Sequence, residues 1–287
     1  MRLLYYTTFA IATAFPDLWW FRETSTLVIL VHSSPGNKER RDVIRSTWLS
    51  TPSPEVTSFF VIGTKHLSNV EKVRLNDENY KTGDLLLLEN VEDAYKTLTS
   101  KTLQSFVWIH HHMNFRFVLK CDDDSFVQIP LLLTKAREFN ATDSVYWGNF
   151  NGMSKGLPEP PPFILCDRFI PFARGGGYVL SADLVTYITA NQHHLFTHRA
   201  EDVAVAVWLT PLKVHRLHDV DFDTEYMSVG CLNSFIVTHK QNIYMMEEKH
   251  KNLQKHGRLC QSESLYHKRH TFDWKAYPSK CCPPIEH

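Results

Sequence analysis

Three consecutive carboxylates, Asp122-Asp123-Asp124, follow the apolar run FRFVLKC. On an extended backbone, alternation puts Asp122 and Asp124 on one face and Asp123 on the other. Adjacent anions repel one another, and a divalent cation relieves that repulsion. Oxygen donors suit magnesium or manganese. His239, after the apolar stretch FIVT, offers a neutral imidazole as a further ligand, or serves as an ordinary packed or surface histidine. Glu201-Asp202 opens the apolar run VAVAVWL. Carboxylates there cap a helix N-terminus, and one of them, if aimed at a site, can take the proton of an attacking hydroxyl. Neighbouring helix positions point about 100° apart, so only one of the two can face a site. Gly175-Gly176-Gly177 lets backbone approach a ligand or simply makes a flexible turn. Arg40, Arg41 and Arg45 share one helical stretch, where they can pair with phosphate or form a solvated face. His110-His111-His112 reads as a solvated helix end.

A D-x-D after a strand also opens phosphohydrolases of the haloacid dehalogenase type. Those place Thr or Val two residues after the second Asp and begin the fold with the motif. Here Phe126 holds that place and a long α/β segment comes first, which argues against that chemistry.

The elements that position these residues alternate. Strands are predicted over 27–31, 57–63, 85–88, 115–121 and 145–150. Helices are predicted over 37–48, 67–80, 91–112, 130–139, 201–209 and 242–257. That order indicates an α/β fold with a mainly parallel central sheet, whose ligands gather beyond the carboxyl ends of the strands. Residues 156–162 contain four prolines and form a loop. A nucleotide half is expected at about 26–150, an acceptor and catalytic half at about 151–260, and a loop-rich tail at 261–287, all within a single catalytic domain over 26–287.

With 31 basic and 31 acidic residues, the chain carries no net charge and lacks the basic footprint of nucleic-acid binding. Four of its six cysteines, Cys231, Cys260, Cys281 and Cys282, lie near the C-terminus, a pattern expected of disulfides in an oxidising compartment. The sequon Asn140-Ala141-Thr142 agrees with that setting. Residues 1–25 read as a marginal signal anchor, interrupted by Pro16-Asp17, or as a signal peptide or the remnant of an anchor.

Five segments in order, RRDVIRSTW (40–48), FVLKCDDDSF (117–126), YWGNF (146–150), GGGYVLSADLV (175–185) and EDVAVAVWL (201–209), resemble glycosyltransferase family 31, the β-1,3-glycosyltransferases. Further segments, GDLLLL (83–88), DAYKTLTSKTL (93–103), FDTEYMSVGCLNSFIVTHKQ (222–241) and GRLC (257–260), point within it to enzymes of the proteoglycan linkage region. The resemblance implies a GT-A-like nucleotide-sugar-binding fold, manganese as cofactor, and inverting transfer of galactose from UDP-galactose to O3 of a galactose. The implied acceptor is Gal-β1,4-Xyl on a proteoglycan core protein. It further implies a Golgi membrane location, with the catalytic domain luminal behind an N-terminal anchor. By the same resemblance Asp124 is the principal metal ligand, with Asp122 and His239 beside it, and Asp202 is the catalytic base. Arg45, Lys120, Asp122, Asp123, Gly175 and Gly176 are expected along the nucleotide pocket. Cys121 departs from the small non-thiol residue usual at its position. The alternatives are a family member using another donor, such as UDP-N-acetylglucosamine, and a catalytically silent carbohydrate-binding protein.

Overall fold

The computed structural model describes residues 23–156 and 167–285. Most of the expected N-terminal anchor and of the proline-rich loop lies outside these residues. Cys166 lies outside them too. No helix among the described residues is long and apolar enough to cross a membrane.

A seven-stranded sheet forms the centre. Its strands are β1 (Glu23–His32), β2 (Val56–Gly63), β3 (Leu85–Leu88), β4 (Met113–Asp122), β6 (Val145–Asn151), β7 (Phe172–Ser181) and β8 (His215–His218). They lie in the order β3-β2-β1-β4-β7-β6-β8. Only β7 runs against the others, pairing antiparallel with both β4 and β6. The mainly parallel α/β fold expected from the sequence is therefore present. Strand β1 begins before residue 26: Glu23, Thr24 and Ser25 already pair with Met113, Asn114 and Phe115.

The sheet is covered on both faces, which explains strands such as LVILV with no polar alternation. Leu27, Ile29 and Val31 pack with Val43 and Ile44 of α1 (Lys38–Ser46), Leu75 of α2 (Asn69–Thr82), Leu132 of α4 (Ile129–Ala136) and Met246 of α7 (Ile243–His256). Val28 and Leu30 face the other way, toward Phe106 of α3 (Leu98–His112), Leu184 of α5 (Ala182–Ala190) and Val205 of α6 (Glu201–Trp208).

Local sequence sets the helix ends. The Ser68 hydroxyl accepts the Glu71 N–H while the Glu71 carboxylate accepts the Ser68 N–H, a reciprocal cap for α2. Gly83, at φ 69°, closes the same helix in the left-handed conformation. The helix expected over 91–112 begins later, at Leu98. Asp93 spends its carboxylate on the Gly63 N–H and on Lys101, and Thr97 bonds the backbone of Glu92 and Ala94, so this stretch turns before it coils.

A three-stranded sheet sits at the carboxyl end of β4. In it β11 (Val237–Thr238) pairs antiparallel with β5 (Phe126–Val127) and parallel with β9 (Phe222–Asp223). A separate antiparallel ladder joins β10 (Gly230–Cys231) to β12 (Ser264–Leu265), and a disulfide links Cys231 to Cys260. A second disulfide joins the adjacent Cys281 and Cys282, and Cys121 is a buried free thiol.

Between α1 and α2 lies a buried ion pair: Arg41 donates to both carboxylate oxygens of Glu78, at 2.8 and 2.7 Å. Glu78 also accepts from Arg45. Removing one partner of such a pair leaves an uncompensated buried charge. Glu78→Ala is expected to lower the unfolding free energy by about 3–5 kcal/mol in urea denaturation, whereas loss of the exposed pair in Lys38→Ala should cost under about 1 kcal/mol.

Candidate active site

Strand β4 carries Asp122 to its carboxyl end, and the chain then turns through Asp123 and Asp124 into β5. The pairing of Thr238 with Phe126 brings the residue after β11, His239, back against this turn. The Gln241 N–H donates to the Asp124 carbonyl at 2.8 Å and fixes the approach. Asp122, Asp124 and His239 thus converge, with ligand atoms within 4.8 Å of one another. His239 Nε2 is 3.0 Å from Asp124 Oδ1 and 3.5 Å from Asp122 Oδ2. It is nevertheless a buried nitrogen without an aligned hydrogen bond. One imidazole nitrogen and two carboxylates within reach of one another make a donor set that suits a divalent metal. Burial works against charge on His239, but Asp122 and Asp124 outweigh it and hold the ring up to about 9. Asp122, Asp124 and a neutral His239 would hold a divalent cation.

Lys120 lies under the triad, almost fully buried. Its ammonium donates to Asp122 Oδ1 at 2.9 Å and to the Gly175 carbonyl at 2.8 Å, and lies 3.2 Å from Glu201 Oε2. Burial opposes its charge, and Asp122 and Glu201 more than restore it. In return Lys120, with His239, holds Asp122 well below the usual carboxylate range despite burial. Asp124 is also lowered, burial again being overcome by His239.

Glu201 and Asp202 divide at the start of α6. Glu201 turns inward, accepting from the Tyr178 hydroxyl at 2.5 Å and from Thr102 at 3.0 Å. Asp202 faces β7, where its carboxylate accepts the Gly175 N–H at 3.0 Å and its own helix's Val203 N–H at 2.9 Å. Burial and the neighbouring Glu201 charge push Asp202 up to about 6, against Lys120 and the two N–H donors. A carboxylate with that value is ionised at neutral pH yet basic enough to accept a proton.

The glycine run makes room for the site's own groups. A Cβ on Gly176 would fall 2.6 Å from the His239 ring, and one on Gly177 would meet Val237 at 2.9 Å. Gly175 uses its N–H on Asp202 and its carbonyl on Lys120. The missing side chain at Gly176 admits the His239 ring, and Gly175, expected with it along the nucleotide pocket, lies against Glu201 and Asp202.

Asp123 points away from the triad. Its Oδ2 accepts from the Ser33 hydroxyl at 2.7 Å and the Asn37 amide at 2.8 Å, anchoring the loop after β1. Burial raises its pKa despite those bonds. Arg45, also expected along the nucleotide pocket, is engaged within the fold. It is held by Asp42, Glu78 and Asp84 and packs over the Phe60 ring. Arg40 reaches the site instead, with Nη1 3.4 Å from the Gln241 carbonyl. Sequence spacing could not distinguish these arginines. It also missed the Arg174–Glu225 ion pair at 2.7 Å, although Arg174 directly precedes the glycine run.

The family described as galactosyltransferase matches residues 39–220. Beta-1,3-galactosyltransferase 6 of Mus musculus is 43% identical over 271 residues, covering 91% of this chain and 83% of the relative. UDP-GalNAc:beta-1,3-N-acetylgalactosaminyltransferase 1 of Sus scrofa is 31% identical, over 66% of this chain and 60% of that one. Hydroxyproline O-galactosyltransferase GALT6 of Arabidopsis thaliana is 27% identical, over 80% of this chain and 34% of that one.

Because Gly176 is the wall against which His239 rests, Gly176→Ala must move the ring. Disturbing the support of a metal ligand costs about 10- to 100-fold in metal affinity. Manganese titration of the variant is expected to show a loss of that size with unchanged far-UV circular dichroism. Unaltered affinity would remove His239 from the ligand set.

Proposed function

The chain belongs to the galactosyltransferase family, and on that premise we propose that it moves galactose from UDP-galactose, with inversion, to O3 of a galactose acceptor. The acceptor proposed is Gal-β1,4-Xyl on a proteoglycan core protein, and the proposed cofactor is manganese. A Golgi membrane location, behind an N-terminal anchor, belongs to the same proposal. The mouse relative's name supports the β-1,3-galactosyl assignment.

One observation carries the chemistry: Lys120 joins Asp122 of the cation triad to Glu201, the residue beside Asp202. One buried ammonium thus links the carboxylates of the candidate cation site to the helix turn that carries the proton acceptor. Asp122, Asp124 and His239 would hold the manganese ion, which when bound supplies positive charge to the diphosphate of the donor. The remaining work belongs to side chains. Asp202 accepts the proton of the acceptor O3 as that oxygen attacks the anomeric carbon. The N–H groups of Gly175 and Val203 fix the carboxylate's orientation. A single displacement, with attack from the face opposite the leaving diphosphate, inverts the anomeric centre.

Two outcomes are expected. Asp202→Asn should lower turnover of UDP-galactose with a synthetic Gal-β1,4-xyloside at least about 100-fold, the scale of a lost general base, while UDP binding survives. In the native chain, acidification through about 6 should protonate Asp202 and remove activity, and activity should return above that range. The acid limb of the rate profile checks this. Transfer from UDP-N-acetylglucosamine in place of UDP-galactose would reassign the donor, and absence of any transfer would favour a silent binding protein.

A further inference from the structure

Lys240 follows the metal-ligand candidate His239 and adopts φ 59°, in the left-handed region. Glycine enters that region without steric penalty, whereas a side chain with a Cβ resists it. The backbone on either side is pinned. The His239 N–H donates to the Asp223 carbonyl at 2.9 Å, the Gln241 N–H to the Asp124 carbonyl at 2.8 Å, and the Gln241 amide to the His239 carbonyl at 2.7 Å. These bonds hold Lys240 in a conformation its own chemistry disfavours, and such strain gathers at functional sites. The consequence is visible: Nζ stands 3.2 Å from Asp124 Oδ2, the carboxylate oxygen other than the one nearest His239. The side chain is 45% exposed, unlike the buried Lys120, so it is free to exchange that partner for a ligand.

We propose that Lys240 is a catalytic residue that contacts the β-phosphate of the nucleotide-sugar donor and stabilises the departing nucleoside diphosphate. The inference rests on the transferase reading above. As the anomeric C–O bond breaks, its electron pair leaves on the β-phosphate oxygen. The new bond forms to the acceptor O3, whose proton passes to Asp202. Lys240 keeps its protons and donates a hydrogen bond to the phosphate, where charge accumulates. Its ammonium is exposed, positive and carried one residue from the cation triad on the left-handed turn.

The test compares Lys240→Met, Lys240→Arg and Lys240→Gly in the full chain. Turnover of UDP-galactose is expected to fall about 100-fold or more in Lys240→Met, the scale of losing one donor to a developing anion, and less in Lys240→Arg. With manganese present, calorimetry should show weaker UDP binding by Lys240→Met but unchanged binding of UMP, which lacks the β-phosphate. Manganese binding without nucleotide should be unchanged or tighter, since a positive charge has been removed. Lys240→Gly should be equally inactive yet melt at a higher temperature than Lys240→Met, because glycine relieves the turn. Undiminished UDP affinity in Lys240→Met overturns the proposal. So does a fall in manganese affinity that accounts for the UDP loss, since Lys240 would then only orient Asp124. Failure of the native chain to bind UDP would instead defeat the transferase reading itself.

Discussion

A single buried ammonium organises the site. Lys120 lies on β4 among strands closed to water, and an uncompensated charge there would be prohibitively costly. Asp122, Glu201 and the Gly175 carbonyl satisfy it together. These groups come from β4, α6 and β7, so solvating one cation fixes the mutual placement of the metal-side carboxylate and the helix that bears the proposed base. The gain is also electrostatic. Asp122 stays ionised in its half-buried place because Lys120 lies beside it, and Glu201 can be buried next to Asp202 because the same ammonium offsets its charge.

Topology supplies the rest of the convergence. The reversed strand β7 lays its glycine run alongside the end of β4, with Gly177 opposite Cys121. The small sheet of β5, β11 and β9 returns the chain over more than 100 residues so that His239 meets Asp124. The absent Cβ at Gly176 is what allows that ring to seat. Each contact needs the others: without the glycine the imidazole cannot approach, and without the imidazole one side of the two carboxylates stands open.

The layout of the fold was legible because strand and helix signals were strong. A run such as LVILV read as a strand, and Asn242 and Gly257 marked the ends of α7, where they act as caps. The acidic run declared its own geometry, since alternation separated Asp123 from Asp122 and Asp124 as the structure does. What stayed hidden depended on tertiary partners. Arg45 looked as able to reach phosphate as Arg40 until Asp84 and Glu78 claimed it. Which of Glu201 and Asp202 faces the site turned on Tyr178, Thr102 and Lys120, none of them adjacent in sequence. The late start of α3 followed from the bonds of Asp93 to Gly63 and Lys101, which no periodicity records. The left-handed backbone at Lys240 carries no glycine or asparagine to announce it.

The central claim is that Asp122, Asp124 and His239 form one divalent-cation site. Electron paramagnetic resonance of Mn²⁺ titrated into the native chain and into the Asp122→Ala/Asp124→Ala double variant tests it most directly. The account predicts one ion bound per native chain, held more tightly with UDP, and none at the same concentrations in the double variant. Equal binding of Mn²⁺ by both proteins would contradict it.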